Sequence, residues 1–204
     1  GTTVLLDSGA NVDSKPKHLV QSAIMGSIYA EYVLGIKNPR VGLLSIGEED
    51  IKGNEQVLAT LPLLKQLKSI NFIGNVEGRD IPKGTVDVVV CDGFVGNIVL
   101  KFGEGLASAI MQLVKNTIRE HGMMAKIASL LIMPALRKLR NKLDYAEYGG
   151  APLLGVAGGC IICHGSSKAK AIKNAIRVAK DYAEMNVVQH IRDIIVKEGV
   201  LSDD

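Results

Sequence analysis

Apolar and polar positions along the chain alternate between two periods. Short, continuous apolar runs are followed by longer segments whose apolar residues recur every three to four positions. The first run, Val4-Leu5-Leu6, ends in the polar turn Asp7-Ser8-Gly9-Ala10-Asn11. A helix then opens at Lys15-Pro16-Lys17, with Leu19, Ala23, Ile24, Ile28 and Tyr32 at helical spacing. Pro16 falls in its first turn, where a missing N–H is harmless. Val41 to Ile46 predicts a second buried strand, closed by Gly47-Glu48-Glu49-Asp50. Lys52-Gly53-Asn54-Glu55 starts a helix to about Leu67, and Ile70 to Ile73 predicts a third strand, followed by a polar stretch from Gly74 to Asp80. Val86 to Val90 is rich in β-branched residues, which suits a strand buried on both faces. Asp92-Gly93 stops that strand, and Gly96-Asn97 opens a long amphipathic helix to about Glu120. Cys160 to Cys163 predicts a short strand ending in His164-Gly165-Ser166-Ser167. Helices follow from Lys168 to about His190 and from Ile191 to Glu198.

Alternating strands and helices predict an α/β fold with a largely parallel sheet and right-handed crossovers. The carboxyl ends of parallel strands lie along one edge, so the turns after them should border a common crevice. The turns bring candidate anion contacts at Lys52, Asn97, His164, Ser166 and Ser167, and carboxylates at Asp7, Glu48, Asp80 and Asp92. Lys52 at a helix start opposes the helix dipole, which sets it apart from a plain surface lysine. His164 reads as an acid–base group, a phosphate donor or a satisfied strand-end histidine.

The segment 121–143 has another character. Met123, Met124, Ile127, Leu130, Leu131, Ile132 and Met133 give a broad apolar surface, Pro134 interrupts it, and Arg137, Lys138, Arg140 and Lys142 follow. Two short helices in a hairpin are expected, serving a dimer interface or an anionic membrane surface.

Composition narrows the function classes. Aromatics are only 4% and Trp is absent, which disfavours stacking on nucleic-acid bases. A formal net charge of +3 is too small to imply nucleic acid. The odd cysteine count, Cys91, Cys160 and Cys163, fits a reducing cytosol better than a disulfide framework. Residues three apart in a strand face opposite ways, so Cys160 and Cys163 make a poor metal pair. Cys91 beside Asp92 reads as structural, since a carboxylate neighbour raises a thiol pKa. No apolar run looks long enough to span a bilayer. Dinucleotide, phosphate-loop, zinc-protease and serine-hydrolase motifs are missing from the sequence.

Four stretches, VGLLSIGEEDIKGNE, FIGNVEGRDI, VDVVVCDGFVGNIVLK and DYAEYGGAPLLGVAGGCIICHGSS, closely resemble the bacterial phosphate acyltransferase family PlsX. The resemblance runs over nearly the whole chain. It implies a three-layer α/β/α sandwich similar to isopropylmalate dehydrogenases, forming a homodimer. It also implies transfer of a long-chain acyl group from acyl carrier protein to inorganic phosphate, with no cofactor and no metal. The acyl phosphate would feed the membrane acyltransferase PlsY at the start of phospholipid synthesis. Family members carry a further Gly-rich N-terminal segment, so residues 1–204 are expected to be one α/β domain from the C-terminal two-thirds of a longer protein. On that reading Lys52, Asn97, Asp92 and His164 are the catalytic candidates. Asn54, Gly93, Gly96, Gly165, Ser166 and Ser167 are the phosphate-binding candidates. Met124, Ile127, Leu131, Arg137 and Lys138 would make the membrane or dimer contact of a cytoplasmic, peripherally attached enzyme. A short-chain phosphate acyltransferase and a non-catalytic membrane module are the alternatives.

Overall fold

Four short segments pair side by side in the computed structural model, which describes residues 2–120, 132–135, 138 and 149–200. They are β1 (Val4–Leu6), β2 (Arg40–Ser45), β3 (Asn71–Glu77) and β4 (Val88–Val90), and they form one wholly parallel sheet in the order β1-β4-β2-β3. β4 is the centre: Val88 pairs with Val4 on one side and with Val41 on the other. Its three valines are fully buried, Val88 and Val90 on one sheet face and Val89 on the other. This is why Val88 to Val90 reads as an unbroken apolar run rather than an alternating one.

Helix α1 (Pro16–Tyr32) carries β1 over to β2, and α2 (Glu55–Gln66) joins β2 to β3. Leu19, Ala23, Leu61 and Leu64 pack with Val41, Leu43, Val88 and Val90 in one core cluster. On the opposite face Val76, Val86 and Val89 meet Ile81 from α3 (Asp80–Lys83), a single turn ended by Gly84 in the left-handed conformation at φ 68°. The fold is therefore α/β, with a parallel sheet between helical layers.

Two compact units divide the chain. The first comprises residues 1–99, 153–160 and 179–204, and it contains the parallel sheet. The second comprises 100–152 and 161–178, with β5 (Ala151–Pro152) antiparallel to β6 (Ile161–Ile162). Helix α4 (Gly93–Glu120) begins in the first unit and continues into the second, and α5 (Ala169–Glu184) runs from the second into the first. Helix α6 (Val187–Lys197) lies in the first unit, where Val187, Ile191 and Tyr182 pack on Ile24 and Ile28 of α1.

Several boundaries depart from the sequence expectation. β3 runs on through Gly74 to Glu77, because Gly74 (φ 100°) absorbs a register shift opposite Val41 and Gly42 instead of turning the chain. Helices α5 and α6 are separated at Asn186, which sits in the left-handed region at φ 49°, rather than near His190. Helix α4 starts at Gly93, not Gly96. It is also long and apolar enough to cross a membrane by length and composition, which the sequence reading denied of every run. Its first turn is fixed to the sheet edge and it carries a Lys101–Glu104 ion pair, so composition alone does not make it a span. Of the expected hairpin, Met124, Ile127, Leu131 and Arg137 lie outside the described residues, while Ile132 to Ala135 are helical and Lys138 is exposed.

One ion pair secures the other end of the sheet. Asp87, just before β4, accepts from the Arg40 backbone N–H (2.8 Å) and from its Nε (2.9 Å) and Nη2 (3.0 Å). The Arg40 side-chain hydrogen bond is the main cause that holds the Asp87 carboxyl below its ordinary 3.8, with burial opposing. The unfolded chain thus takes up the proton at higher pH than the folded one. The pair's stabilisation is complete above that ordinary value and is lost as pH falls through the folded one. Asp87→Asn should lower the urea midpoint at about pH 7, and the gap to the parent chain should close at about pH 2, as paired urea titrations would read.

Candidate functional site

The carboxyl ends of β1, β4, β2 and β3 follow one another along a single edge of the parallel sheet. Each end delivers a polar loop, and each loop is pinned by side chains.

The loop after β1 is built on Asp7, which is buried at 7% exposure. Its carboxylate accepts three backbone N–H groups, from Gly9 (2.8 Å), Ala10 (2.8 Å) and Asn11 (2.6 Å). The loop so fixed rests directly on the first turn of α4. Gly93 donates its N–H to the Asn11 carbonyl at 2.9 Å. A Cβ on Gly96 would lie 1.8 Å from the Asp7 carbonyl oxygen. The carboxamide of Asn97 is beside Gly9, whose own Cβ position lies 3.7 Å from the Asn97 Cγ. Asn97 is exposed at the fifth position of the helix.

The start of α4 is less open to an anion than the sequence suggests. Asp92 Oδ1 accepts the Val95 N–H at 2.9 Å, and the Gly96 N–H bonds the Asp92 carbonyl at 2.9 Å. With Gly93 tied to Asn11, the helix-start donors are largely engaged. Asp92 acts here as a capping carboxylate, placed where the helix dipole favours it.

The loop after β2 places Lys52 two residues before the N-cap of α2, at the start of that helix. Asn54 is that N-cap, and its side chain accepts the Val57 N–H at 2.9 Å. The stem of Lys52 lies over Gly47, where a Cβ would come within 2.9 Å of the Lys52 Cγ and 2.8 Å of a Glu49 carboxylate oxygen. Two side chains hold the Lys52 backbone carbonyl: Ser45 Oγ from β2 at 3.0 Å and Asn75 Nδ2 from β3 at 3.3 Å. Asn75 also bonds the Glu49 carbonyl at 3.0 Å and is itself buried. Lys52 is exposed, and its ammonium has no ion-pair partner among the described residues. A fixed backbone carrying a free ammonium is the feature a bound anion needs.

After β3, the carboxylates of Glu48, Glu77 and Asp80 come within 4.8 Å of one another. They already face cations: Arg79 pairs with Glu77 and reaches Glu48 at 4.0 Å, and Lys83 meets Asp80 at 3.2 Å. The backbone N–H of Glu77, chiefly, holds Asp80 below the ordinary carboxylate range. Three carboxylates thus share two cations, and these pairs tie the loop together.

Cys91 is buried, its thiol 3.6 Å from the Asp7 carbonyl. Burial pushes its pKa up to about 12, and the neighbouring Asp92 and Asp7 charges add to the rise. A thiol raised this far stays protonated near neutral pH and is a poor nucleophile. Iodoacetamide should label the exposed Cys160 in the native protein and reach Cys91 only after unfolding, as peptide mass spectrometry would show.

His164 belongs to the second unit, where it follows the antiparallel β6 rather than a strand of the parallel sheet. Its Nδ1 is 2.7 Å from Ser166 Oγ and accepts the Ser166 N–H at 3.2 Å; the Ser167 N–H bonds the His164 carbonyl at 2.9 Å. His164, Gly165 and Ser166 are exposed, and Ser167 Oγ is buried with no partner among the described residues. The structure thus gathers Lys52, Asn54, Asp92, Gly93, Gly96 and Asn97 on one sheet edge of the first unit, while His164 to Ser167 form a compact turn within the second.

Sequence reasoning did not single out Asp7 as the loop's builder, nor Asn75 as the support of Lys52. Asn75 gave a signal, since Asn is disfavoured within a strand. Asp7 gave only the general one of an aspartate before a glycine turn.

The family model for the fatty acid synthesis protein family matches residues 1–190. The chain belongs to that family. Within the fatty acid synthesis protein family, similarity to individual relatives is high. A phosphate acyltransferase of Pelotomaculum thermopropionicum is 59% identical over 195 residues, covering 96% of this chain and 56% of its own length. A phosphate acyltransferase of Heliobacterium modesticaldum is 58% identical, covering 96% of this chain and 58% of its own length. That of Aquifex aeolicus is 60% identical over 204 residues, covering 98% and 60%. The chain therefore spans 56–60% of the length of these relatives.

Proposed function

We propose that this chain is part of an enzyme that transfers a long-chain acyl group from acyl carrier protein to inorganic phosphate. The observation that carries this reading is identity of 58–60% across 96–98% of the chain to proteins named phosphate acyltransferase. The fixed loop bearing the free Lys52 ammonium supports it.

The reaction needs no protein nucleophile. A phosphate oxygen attacks the thioester carbonyl, an O–C bond forms, and the carbonyl oxygen takes up negative charge. Collapse breaks the C–S bond, and the hydrogen of monohydrogen phosphate ends on the departing sulfur. Catalysis is then positioning plus electrostatics. Lys52 holds the phosphate charge, and Asn97 donates to the developing oxyanion. Asn54 and Asp92, both caps, fix the starts of α2 and α4 that carry these loops. His164 and the Gly165-Ser166-Ser167 turn are anion-contact candidates within the second unit. No metal or cofactor takes part in this scheme.

The apolar residues exposed on α4 within the second unit, Leu100, Phe102, Leu106, Ile110 and Leu113, support association as a homodimer. The basic and apolar content of 121–143 supports peripheral contact with the cytoplasmic face of a membrane, where PlsY would take up the acyl phosphate. The test is release of free carrier protein from palmitoyl carrier protein by the complete protein. Release that requires phosphate and yields palmitoyl phosphate is expected; release at the same rate without phosphate would exclude the reaction.

A further inference from the structure

A groove of about 1060 Å³ opens between the β1–α1 loop and the starts of α2 and α4, entirely within the first unit. Asn54 and Asp92, the caps that flank the candidate site, are part of its wall. We propose that this groove receives the uncharged, amide-bearing pantetheine portion of the carrier protein's arm, with the arm's phosphodiester left outside it, and leads its thioester to the sheet edge. The proposal rests on the acyl-transfer reading and names where the donor lies.

Three properties select that occupant. The first is size: the groove is at the upper end of small-molecule sites and is far larger than a phosphate ion needs. The second is charge. Asp13, Glu55 and Asp92 line it against a single ammonium, Lys15, so a phosphate dianion is repelled and an uncharged chain is not. The third is hydrogen-bond chemistry. Asn54 uses its carbonyl on the Val57 N–H, which leaves its NH₂ as a donor. Gln56 uses its NH₂ on the Ser14 carbonyl, which leaves its own carbonyl as an acceptor. One donor and one acceptor beside the apolar wall of Val12, Ala59 and Phe94 match an arm of secondary amides on methylene links. Phosphate and arm are thereby sorted. The anion goes to the free ammonium of Lys52, and the neutral arm goes to the acid-rimmed groove.

The test uses the complete protein with Ala59→Phe, a substitution on the exposed surface of α2 that fills the groove, and Phe94→Ala, which removes its wall. Melting temperatures near the parent's identify folded variants, and both sites are exposed. The KM for palmitoyl carrier protein should rise roughly tenfold or more in Ala59→Phe, with the KM for phosphate unchanged. Carrier protein bearing the arm should compete with the donor in the parent and lose that competition in Ala59→Phe, whereas carrier lacking the arm should compete in neither. Saturation-transfer NMR with free pantetheine reads the groove without turnover, so loss of the acyl-transfer reading would leave this measurement intact. An unchanged donor KM, a raised phosphate KM, or weakened binding of palmitoyl phosphate with pantetheine binding intact would each overturn the proposal. The last of these would assign the groove to the acyl chain.

Discussion

Gly96→Ala should destabilise the protein by about 3 kcal/mol or more, one of the largest effects available to a single methyl group here. The added Cβ would sit 1.8 Å from the Asp7 carbonyl oxygen, 2.9 Å from the Asp7 carbonyl carbon and 3.0 Å from the Cys91 sulfur. Two of these neighbours are backbone and cannot swing away. The Asp7 loop is held by its own carboxylate through three N–H bonds, and the helix is held by the Asp92 cap. Either α4 slides outward or the loop unravels, and both separate Asn97 from Gly9. The same helix supplies the control. Nothing lies within 4 Å of a Cβ built on Gly103 or Gly105, so alanine there should stabilise by up to about 1 kcal/mol each through helix propensity. Urea unfolding of the three variants reads the opposite signs. A Gly96→Ala midpoint equal to the parent's would mean that the first turn of α4 is not seated on β1's loop.

These glycines also show where the sequence stops being legible. The strands could be read because burial on both faces writes itself as apolar runs, and α1 could be read because Pro16 and its apolar spacing agree. The parallel sheet followed from their alternation. The start of α4 could not be read, because Gly93 and Gly96 are poor helix formers locally. They belong in the helix only because a distant backbone, that of Asp7 and Asn11, comes within contact distance. The support of Lys52 could not be read for a similar reason. Asn54 takes the cap, and what holds the lysine's backbone is Asn75, more than twenty residues on in the next strand. Shared location along the edge was inferable for the four parallel strand ends. That His164 follows an antiparallel pair was not inferable, since a two-residue strand gives no hint of its partner's direction. Candidate residue types were thus visible, while their supports were tertiary and invisible.

Lys52→Ala in the complete protein should lower kcat/KM for phosphate by about 10²–10³-fold, the range for removing a preorganised charge from a transition state. It should leave stability within about 0.5 kcal/mol of the parent, as for other exposed positions without a partner. The argument turns on what the ammonium does not do. Lys65, Lys83 and Lys101 each pair with a carboxylate, and their loss would disturb the surface alone. Lys52 has no such role, although Ser45 and Asn75 hold its backbone in one place. A side chain fixed at its root, unpaired at its tip and set at the carboxyl edge of a parallel sheet contributes to binding or to nothing. Lys83→Ala, with its Asp80 contact removed, is the matched control and should turn over normally. Asn75→Ala should reproduce part of the Lys52→Ala defect, because it frees the loop while keeping the charge. Its loss should appear mainly in the KM for phosphate. Normal phosphate kinetics in Lys52→Ala would remove Lys52 from the site and shift the anion to the turn at His164.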